Sequence, residues 1–187
     1  MSREAIWEAV KSVLSPEGFR ARSGTFYRTH QAISIDVVNL QAGTGHLAGK
    51  ETVNLGVYIP EVARLLAPSG VKNLPKEYEC QIRIRLSRLA YGDDRWFDRS
   101  LSTTPREISS LIAKCAMPFF AEFPSLEAIA MRAESGSVPQ TIIGPGLHAA
   151  VLVLLDKKEE ARSVLIAHRD EHPVGIDKYA AALKLTL

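Results

Sequence analysis

The sequence predicts an α+β fold, an antiparallel sheet of about four or five strands packed with N-terminal and C-terminal helices, and three observations carry that prediction. Alternation of period two runs through Ile33 to Gln41 and again through Glu51 to Pro60, the mark of half-buried strands. Strand-like segments in the first half follow one another too closely for a parallel crossover, which needs about a dozen residues or more. Beyond about residue 100 the pattern turns helical and carries capping signals. The 187 residues are expected to form a single domain, with 1–100 supplying helix plus antiparallel sheet and 101–187 the helical part. A chain of this length can bury roughly 70 % of its unfolded surface, enough for a core without staples.

Residues 3–14 are amphipathic, with Ile6, Val10, Val13 and Leu14 on one stripe, Ser2 as N-cap, and Pro16 and Gly18 ending the helix. Thr25 to Thr29 is a short strand, and Gln31 and Ala32 turn the chain into the next. In that strand Ile33, Ile35, Val37 and Asn39 alternate with Ser34, Asp36, Val38 and Leu40, so the apolar side changes near its end. In its partner Val53, Leu55, Val57 and Ile59 share one face, leaving Thr52, Asn54, Gly56 and Tyr58 on the other. Pro60 can open a short helix, Glu61 to Ala67, before Pro68, Ser69 and Gly70 break the chain.

Glu79 to Leu86 is expected as a strand in which Cys80, Ile82, Ile84 and Leu86 oppose Glu79, Gln81, Arg83 and Arg85. Tyr91 to Asp94 reads as a turn and Arg95 to Arg99 as a returning strand. Thr104, Pro105 and Glu107 supply an N-cap, a first-turn proline and the acid of a capping box ahead of Ile108, Leu111, Ile112 and Cys115. Pro118 interrupts this helix, Phe119, Phe120 and Phe123 are core candidates, and Ser125 caps a helix to about Arg132. A glycine and proline rich connector, Gly136 to Gly146, leads to helices at Leu147 to Leu155, Glu159 to Arg169 and Ile176 to Leu185, the first two joined by a turn at Asp156 to Lys158. That pair resembles one helical hairpin of a repeat protein, but no second copy is present.

Composition excludes several classes. The N-terminal stretch has Arg3, Glu4, Glu8 and Lys11 spread through it, unlike a signal peptide, and no segment approaches the ~18 apolar residues of a membrane span. A cytoplasmic location without membrane association is therefore the expectation. Cys80 and Cys115 fall on apolar faces and read as reduced core thiols rather than a disulfide or a nucleophile. The net charge of +2 is too small to argue for nucleic acid.

The catalytic motifs fail on their mechanical requirements. Gly43 to Lys50 (GTGHLAGK) has Thr44 where a phosphate loop needs glycine, Glu51 where it needs serine or threonine, and a strand where it needs a helix. It reads as a hairpin loop in which His46 and Lys50 can meet a ligand. His168 to His172 (HRDEH) has the spelling of a zinc peptidase, but Pro173 puts the second histidine at a helix end. Ser69 and Lys72 spell S-x-x-K in a loop rather than at a helix start, and His30, His46 and His148 have no ligand spacing. No cofactor or metal is expected.

What remains is a polar sheet face. Gln41, Asn54, Gln81, Arg83 and Arg85 converge there if their strands are neighbours, next to Arg88 and Trp96 in a stretch whose Arg83, Arg85, Arg88, Arg95, Arg99 and Arg106 face Asp93, Asp94 and Asp98. One reading is structural, a hydrogen-bond network closing the sheet, because buried amides and guanidinium groups must be paired. The other is a binding site with arginines as anchors for carboxylate or phosphate and amides fixing orientation.

At these residues the sequence resembles the bacterial domain-of-unknown-function 4304 family. The resemblance rests on Gly18-Phe19, Thr25-Phe26-Tyr27, Asn39-Leu40-Gln41, the segment Thr52 to Tyr58, Cys80 through Arg85 with Arg88-Leu89, and Trp96-Phe97, and covers about residues 5 to 125. Phe97 departs from the pair of tryptophans in the family pattern. The resemblance implies no activity. The residues lean against an enzyme and toward a non-enzymatic cytoplasmic interaction protein, an inhibitor or immunity-type partner of a toxin or enzyme, since an arginine and aromatic region is what interface hot spots favour. The alternative is an enzyme or small-ligand protein recognising a phosphate or carboxylate on the polar face. A protein partner is thus expected first and a small anionic ligand second, with nucleic acid disfavoured.

Overall fold

The computed structural model describes residues 3–30, 33–66, 70–135 and 143–187. In chain order its elements are α1 (Arg3–Leu14), β1 (Arg20–Arg22), β2 (Thr25–His30), β3 (Ser34–Ala42), β4 (Lys50–Tyr58), α2 (Pro60–Leu66), β5 (Ile82–Arg85), α3 (Leu86–Tyr91), β6 (Phe97–Asp98), α4 (Thr104–Leu111), α5 (Met117–Ala121), α6 (Leu126–Ser135), α7 (Pro145–Leu154), α8 (Lys158–Ala167) and α9 (Pro173–Leu183). The α+β class and the antiparallel sheet expected from the sequence are both present. Ser2, the turn at Gln31 and Ala32, Pro68, Ser69 and most of the connector lie outside the described residues. No described helix is long and apolar enough to cross a membrane.

The chain divides into two compact units, one of residues 1–58 and 74–121 and the other of residues 59–73 and 122–187. In the first, the strands run in the order β1-β2-β3-β4-β5, with β6 paired to β4, and every pairing is antiparallel. Opposed residues share a face, so Phe26, Val38 and Leu55 stand on one side of the sheet while Thr25, Asn39 and Asn54 stand on the other. The first side is the core: α1 buries Ile6, Val10 and Leu14, and Trp7 stacks on Phe26 with ring centroids 4.3 Å apart. Glu51 is fully buried, 3.2 Å from Arg3, whose Nη2 also donates to the Leu40 carbonyl at 2.9 Å.

The change of apolar side along β3 has its cause at the start of the strand rather than near its end. Ser34 and Asp36 lie on the core side and are buried. Asp36 Oδ2 accepts from Arg28 Nε at 2.9 Å and Nη2 at 2.8 Å, and the same guanidinium lies 4.6 Å from the Phe19 ring centroid and 5.8 Å from that of Phe120. A guanidinium can take such a place because it pairs with a carboxylate in its plane and stacks on rings with its face.

The strand expected over Glu79 to Leu86 is only Ile82–Arg85. Glu77–Glu79 forms a 3-10 turn held by Glu79 Oε2 accepting from the Lys76 amide at 2.8 Å, and Leu86 already begins α3. Cys80 therefore does not share the face of Ile82. It packs over Gly56, on the polar side, where a Cβ on Gly56 would stand 2.6 Å from its Sγ. The returning strand shrinks to Phe97–Asp98, paired with Lys50 and Glu51.

The N-cap of α4 is Thr103 rather than Thr104, whose hydroxyl donates to the Asp98 carbonyl. Pro118 does not break the helix that follows. A π-helical turn over Ile112–Ala116 precedes α5 and widens the backbone ahead of the proline ring, which would otherwise clash with the preceding turn.

In the second unit α2 and α6 to α9 pack as a helical cluster. Its centre is α7, which buries Leu147, Ala149, Ala150, Val151 and Leu152. Ser125 Oγ accepts from the Ala128 amide at 3.2 Å, the cap its position suggests. Asp156 turns the chain between α7 and α8 at φ 61°, in the left-handed region. His168 is the C-cap of α8 and His172 the N-cap of α9, so the HRDEH motif spans a turn instead of one helix face.

Candidate functional site

The polar side of the sheet is built around β4, which is buried along both faces from Glu51 to Tyr58. Three strand neighbours, β3, β5 and β6, and the 74–80 segment make this possible. The cross-strand row Thr25, Asn39, Asn54 and Arg85 runs over β2, β3, β4 and β5, and Gly56 faces Arg83 in the adjoining row. Only glycine at 56 lets the 74–80 segment approach so closely.

Across this row and its neighbour Gln41 the amides form a ladder with a direction. Asn54 Nδ2 donates to Gln41 Oε1 at 2.9 Å and to Asn39 Oδ1 at 3.3 Å, and Asn39 Nδ2 donates to Thr25 Oγ1 at 3.0 Å. Both protons of the Asn54 amide are engaged, and the carbonyl ends of Asn39 and Gln41 turn toward it. The donors that the ladder leaves unused are the amide protons of Gln41, the second proton of Asn39 and the Thr25 hydroxyl proton.

Beside this ladder lies a pocket of about 460 Å³ lined by Arg22, Thr25, Tyr27, Asn39 and Gln41 from the sheet, Ser23 from the β1–β2 turn, and Leu74, Lys76, Glu77 and Tyr78 from the covering segment. Two cations thus stand at a wall of hydrogen-bond donors. Hydrogen bonding to Tyr78 holds the Lys76 ammonium above the ordinary lysine range, and that ammonium lies 5.6 Å from the Tyr78 ring centroid. Glu77, the one carboxylate among the described lining residues, has Oε1 3.5 Å from Arg83 Nη2, while its buried Oε2 has no hydrogen-bond partner among the described residues. The donors and cations of this lining are complementary to an acceptor-rich anion, with Glu77 as the acidic exception.

The structure brings the expected residues to one region but separates their tasks. Gln41 lines the pocket and Asn54, 7 % exposed, orients it from below. Arg83 shares their face yet is drawn to Glu77, while Arg85 pairs with Asp94 at 3.1 Å and lies 5.7 Å from the Trp96 ring centroid. Gln81 precedes β5, Arg88 is exposed on α3, and none of Gln81, Arg83, Arg85, Arg88 or Trp96 lines the pocket. Arg22, Tyr27, Lys76 and Tyr78 were not foreseen. Thr25 and Tyr27 carried a readable signal, their alternation along β2, whereas Lys76 to Tyr78 sit in a segment without periodicity.

Other reactive groups are set aside by their surroundings. Cys80 is buried and its thiol is pushed well above the ordinary range, first by burial and then by the charge of Glu77. The loop Gly43 to Lys50 closes the β3–β4 hairpin through a 2.9 Å bond from the Gly43 amide to the Lys50 carbonyl, and Lys50 opens a strand, not a helix. Among the described residues no three of His, Cys, Asp or Glu cluster as a metal site. In the second unit Pro145, His172, Pro173, Val174 and Tyr179 help to line a further pocket of about 580 Å³.

A family model described as Domain of unknown function (DUF4304) matches residues 10–122, and all of β1 to β6 fall inside the match. No curated protein and no solved structure matches the chain. With more than half of its length under that model, and with the sheet, the amide ladder and the pocket all inside the matched residues, the chain belongs to the DUF4304 family.

Proposed function

We propose that this chain is a non-enzymatic cytoplasmic binding protein whose pocket on the polar sheet face takes a ligand bearing a carboxylate or phosphate. The observation that carries the reading is the direction of the amide ladder, which turns the acceptors of Asn39 and Gln41 inward and leaves donors beside Arg22 and Lys76. Binding of this kind needs no nucleophile and no metal. Anions are held by charge-assisted bonds, and neutral amides fix the orientation.

The test is thermal unfolding across a panel of small carboxylates and phosphates, with the wild type beside an Arg22→Ala, Lys76→Ala variant. A ligand that binds the folded state alone raises the midpoint with its concentration. The reading expects a rise for some anions in the wild type and its loss in the variant. A panel that shifts neither protein would overturn it.

A second reading, an interaction protein of inhibitor or immunity type, is favoured by a separate feature. Arg85 over Trp96 and Arg95, 4.5 Å from the Tyr91 ring centroid, form a cation and aromatic patch apart from the pocket. Arginine and aromatic side chains of this kind are enriched at interface hot spots. A pull-down from native extract in which a partner is captured by the wild type and lost with Arg85→Ala, Trp96→Ala would support it, and equal capture by both proteins would remove the patch from the account.

A further inference from the structure

The pocket is larger than an anion needs. Liquid water occupies about 30 Å³ per molecule, so 460 Å³ far exceeds the space of one carboxylate or phosphate group. It lies instead in the range of about 300–1,000 Å³ that holds drug-sized ligands. There is room for the rest of a larger ligand, and the lining says what kind of group suits it. Apart from the donors, the cations and Glu77, the walls are Tyr27, Tyr78 and Leu74, with Tyr78 58 % exposed and Leu74 41 % exposed.

Resting on the anion-binding reading, we propose that the ligand is a flat ring carrying one anionic group, the ring against Tyr27 and Tyr78 and the anion toward Arg22 and Lys76. The spacing fits. Lys76 Nζ lies 5.6 Å from the Tyr78 centroid, so a ring on that tyrosine places an anion one or two bonds beyond its edge within reach of the ammonium. Offset stacking on tyrosine adds about 0.5–1.5 kcal/mol beyond area burial, which is a few-fold to about tenfold in affinity. A nucleoside monophosphate and an aromatic carboxylate share this chemistry.

The experiment separates the two sources and separates this inference from the reading beneath it. Dissociation constants are measured by calorimetry for adenosine 5′-monophosphate against ribose 5-phosphate, and for indole-3-acetate against acetate, on the wild type, Tyr78→Ala and Tyr78→Phe. Tyr78 is exposed, so neither substitution threatens the fold. The inference expects at least one ringed probe to bind several-fold to tenfold more tightly than its ringless control, with that margin lost in Tyr78→Ala and kept in Tyr78→Phe. The pair that shows the margin names the source. Equal affinity of ringed and ringless probes, or a margin untouched by Tyr78→Ala, would overturn the inference and leave the anion reading standing. Absence of binding by all four probes would overturn both.

Discussion

Replacing Asn54 by leucine removes the donor on which the amide ladder turns. The side chain fits the space approximately, so the change is chiefly chemical. Two hydrogen bonds are lost, at 2.9 Å to Gln41 and at 3.3 Å to Asn39. Gln41 is exposed and its oxygen regains water, so that loss is about 1 kcal/mol. Asn39 is half-buried, and leaving its oxygen without a donor costs about 2 kcal/mol. Burying leucine in place of an amide offsets about 1 kcal/mol, which leaves a net destabilisation of about 2 kcal/mol. With a urea dependence of about 2 kcal/mol per molar, the unfolding midpoint falls by about 1 M at unchanged slope. Asn54→Asp falls further, since a buried carboxylate would face two carbonyl oxygens. A midpoint for Asn54→Leu within about 0.2 M of the wild type would refute the ladder as a structural device.

Other perturbations follow from the same packing. Gly56→Ala sets a Cβ 2.6 Å from Cys80 Sγ and should cost about 1–3 kcal/mol in urea unfolding, partly recovered by Cys80→Gly; strict additivity of the two changes would contradict the contact. Arg28→Met leaves Asp36 buried without its partner and should cost about 3–5 kcal/mol by the same assay, and a loss under about 1 kcal/mol would remove the pair from the core. Burial holds the Asp36 carboxyl above its ordinary value near 3.8, with Arg28 pulling it back. A raised folded pKa contributes stability that is complete below the unfolded value and is lost as pH climbs through the folded one. The stability of the wild type relative to Asp36→Asn should therefore increase as pH falls from neutrality toward about 4, and a difference that shrinks instead would contradict the assignment. Cys80 should resist a thiol reagent in the native state and react on unfolding, because burial disfavours its thiolate; rapid native labelling at Cys80 would place it elsewhere.

The parts of the fold that were legible are those whose pattern is local. The stripe Ile6, Val10 and Leu14 marks α1, and alternation marks β3 and β4, whose adjacency follows from the short hairpin between them. The three exposed residues of β1 offer no pattern at all, since Arg20 to Arg22 pair through the backbone with β2 and bury no side chain. Helix α3 was hidden because the apolar residues of β5 and the first buried residue of α3, Ile82, Ile84 and Leu86, keep period two across the junction. The place of Cys80 over Gly56 depends on the turn at Glu77–Glu79, which no periodicity announces.

The candidate site divides in the same way. Gln41 and Asn54 were identifiable as amides on the polar face because side-chain direction follows from parity along a strand. Parity also put Arg83 and Arg85 on that face, but it says nothing of the carboxylates that claim them, Glu77 and Asp94, since both arrive from outside the strands. Lys76 and Tyr78 come from the same covering segment and were hidden for that reason.

The most direct measurement is a titration of the isotopically labelled protein with inorganic phosphate and with acetate, following the side-chain amide resonances of Gln41, Asn39 and Asn54 by NMR. An anion held by the outward donors should shift the Gln41 and Asn39 amide signals with saturation, accompanied by backbone shifts at Arg22, Lys76 and Tyr78. Saturating shifts confined to Arg85, Trp96 and Tyr91, or to His172 and Tyr179, with the amide signals unmoved, would contradict the assignment of the pocket as the site.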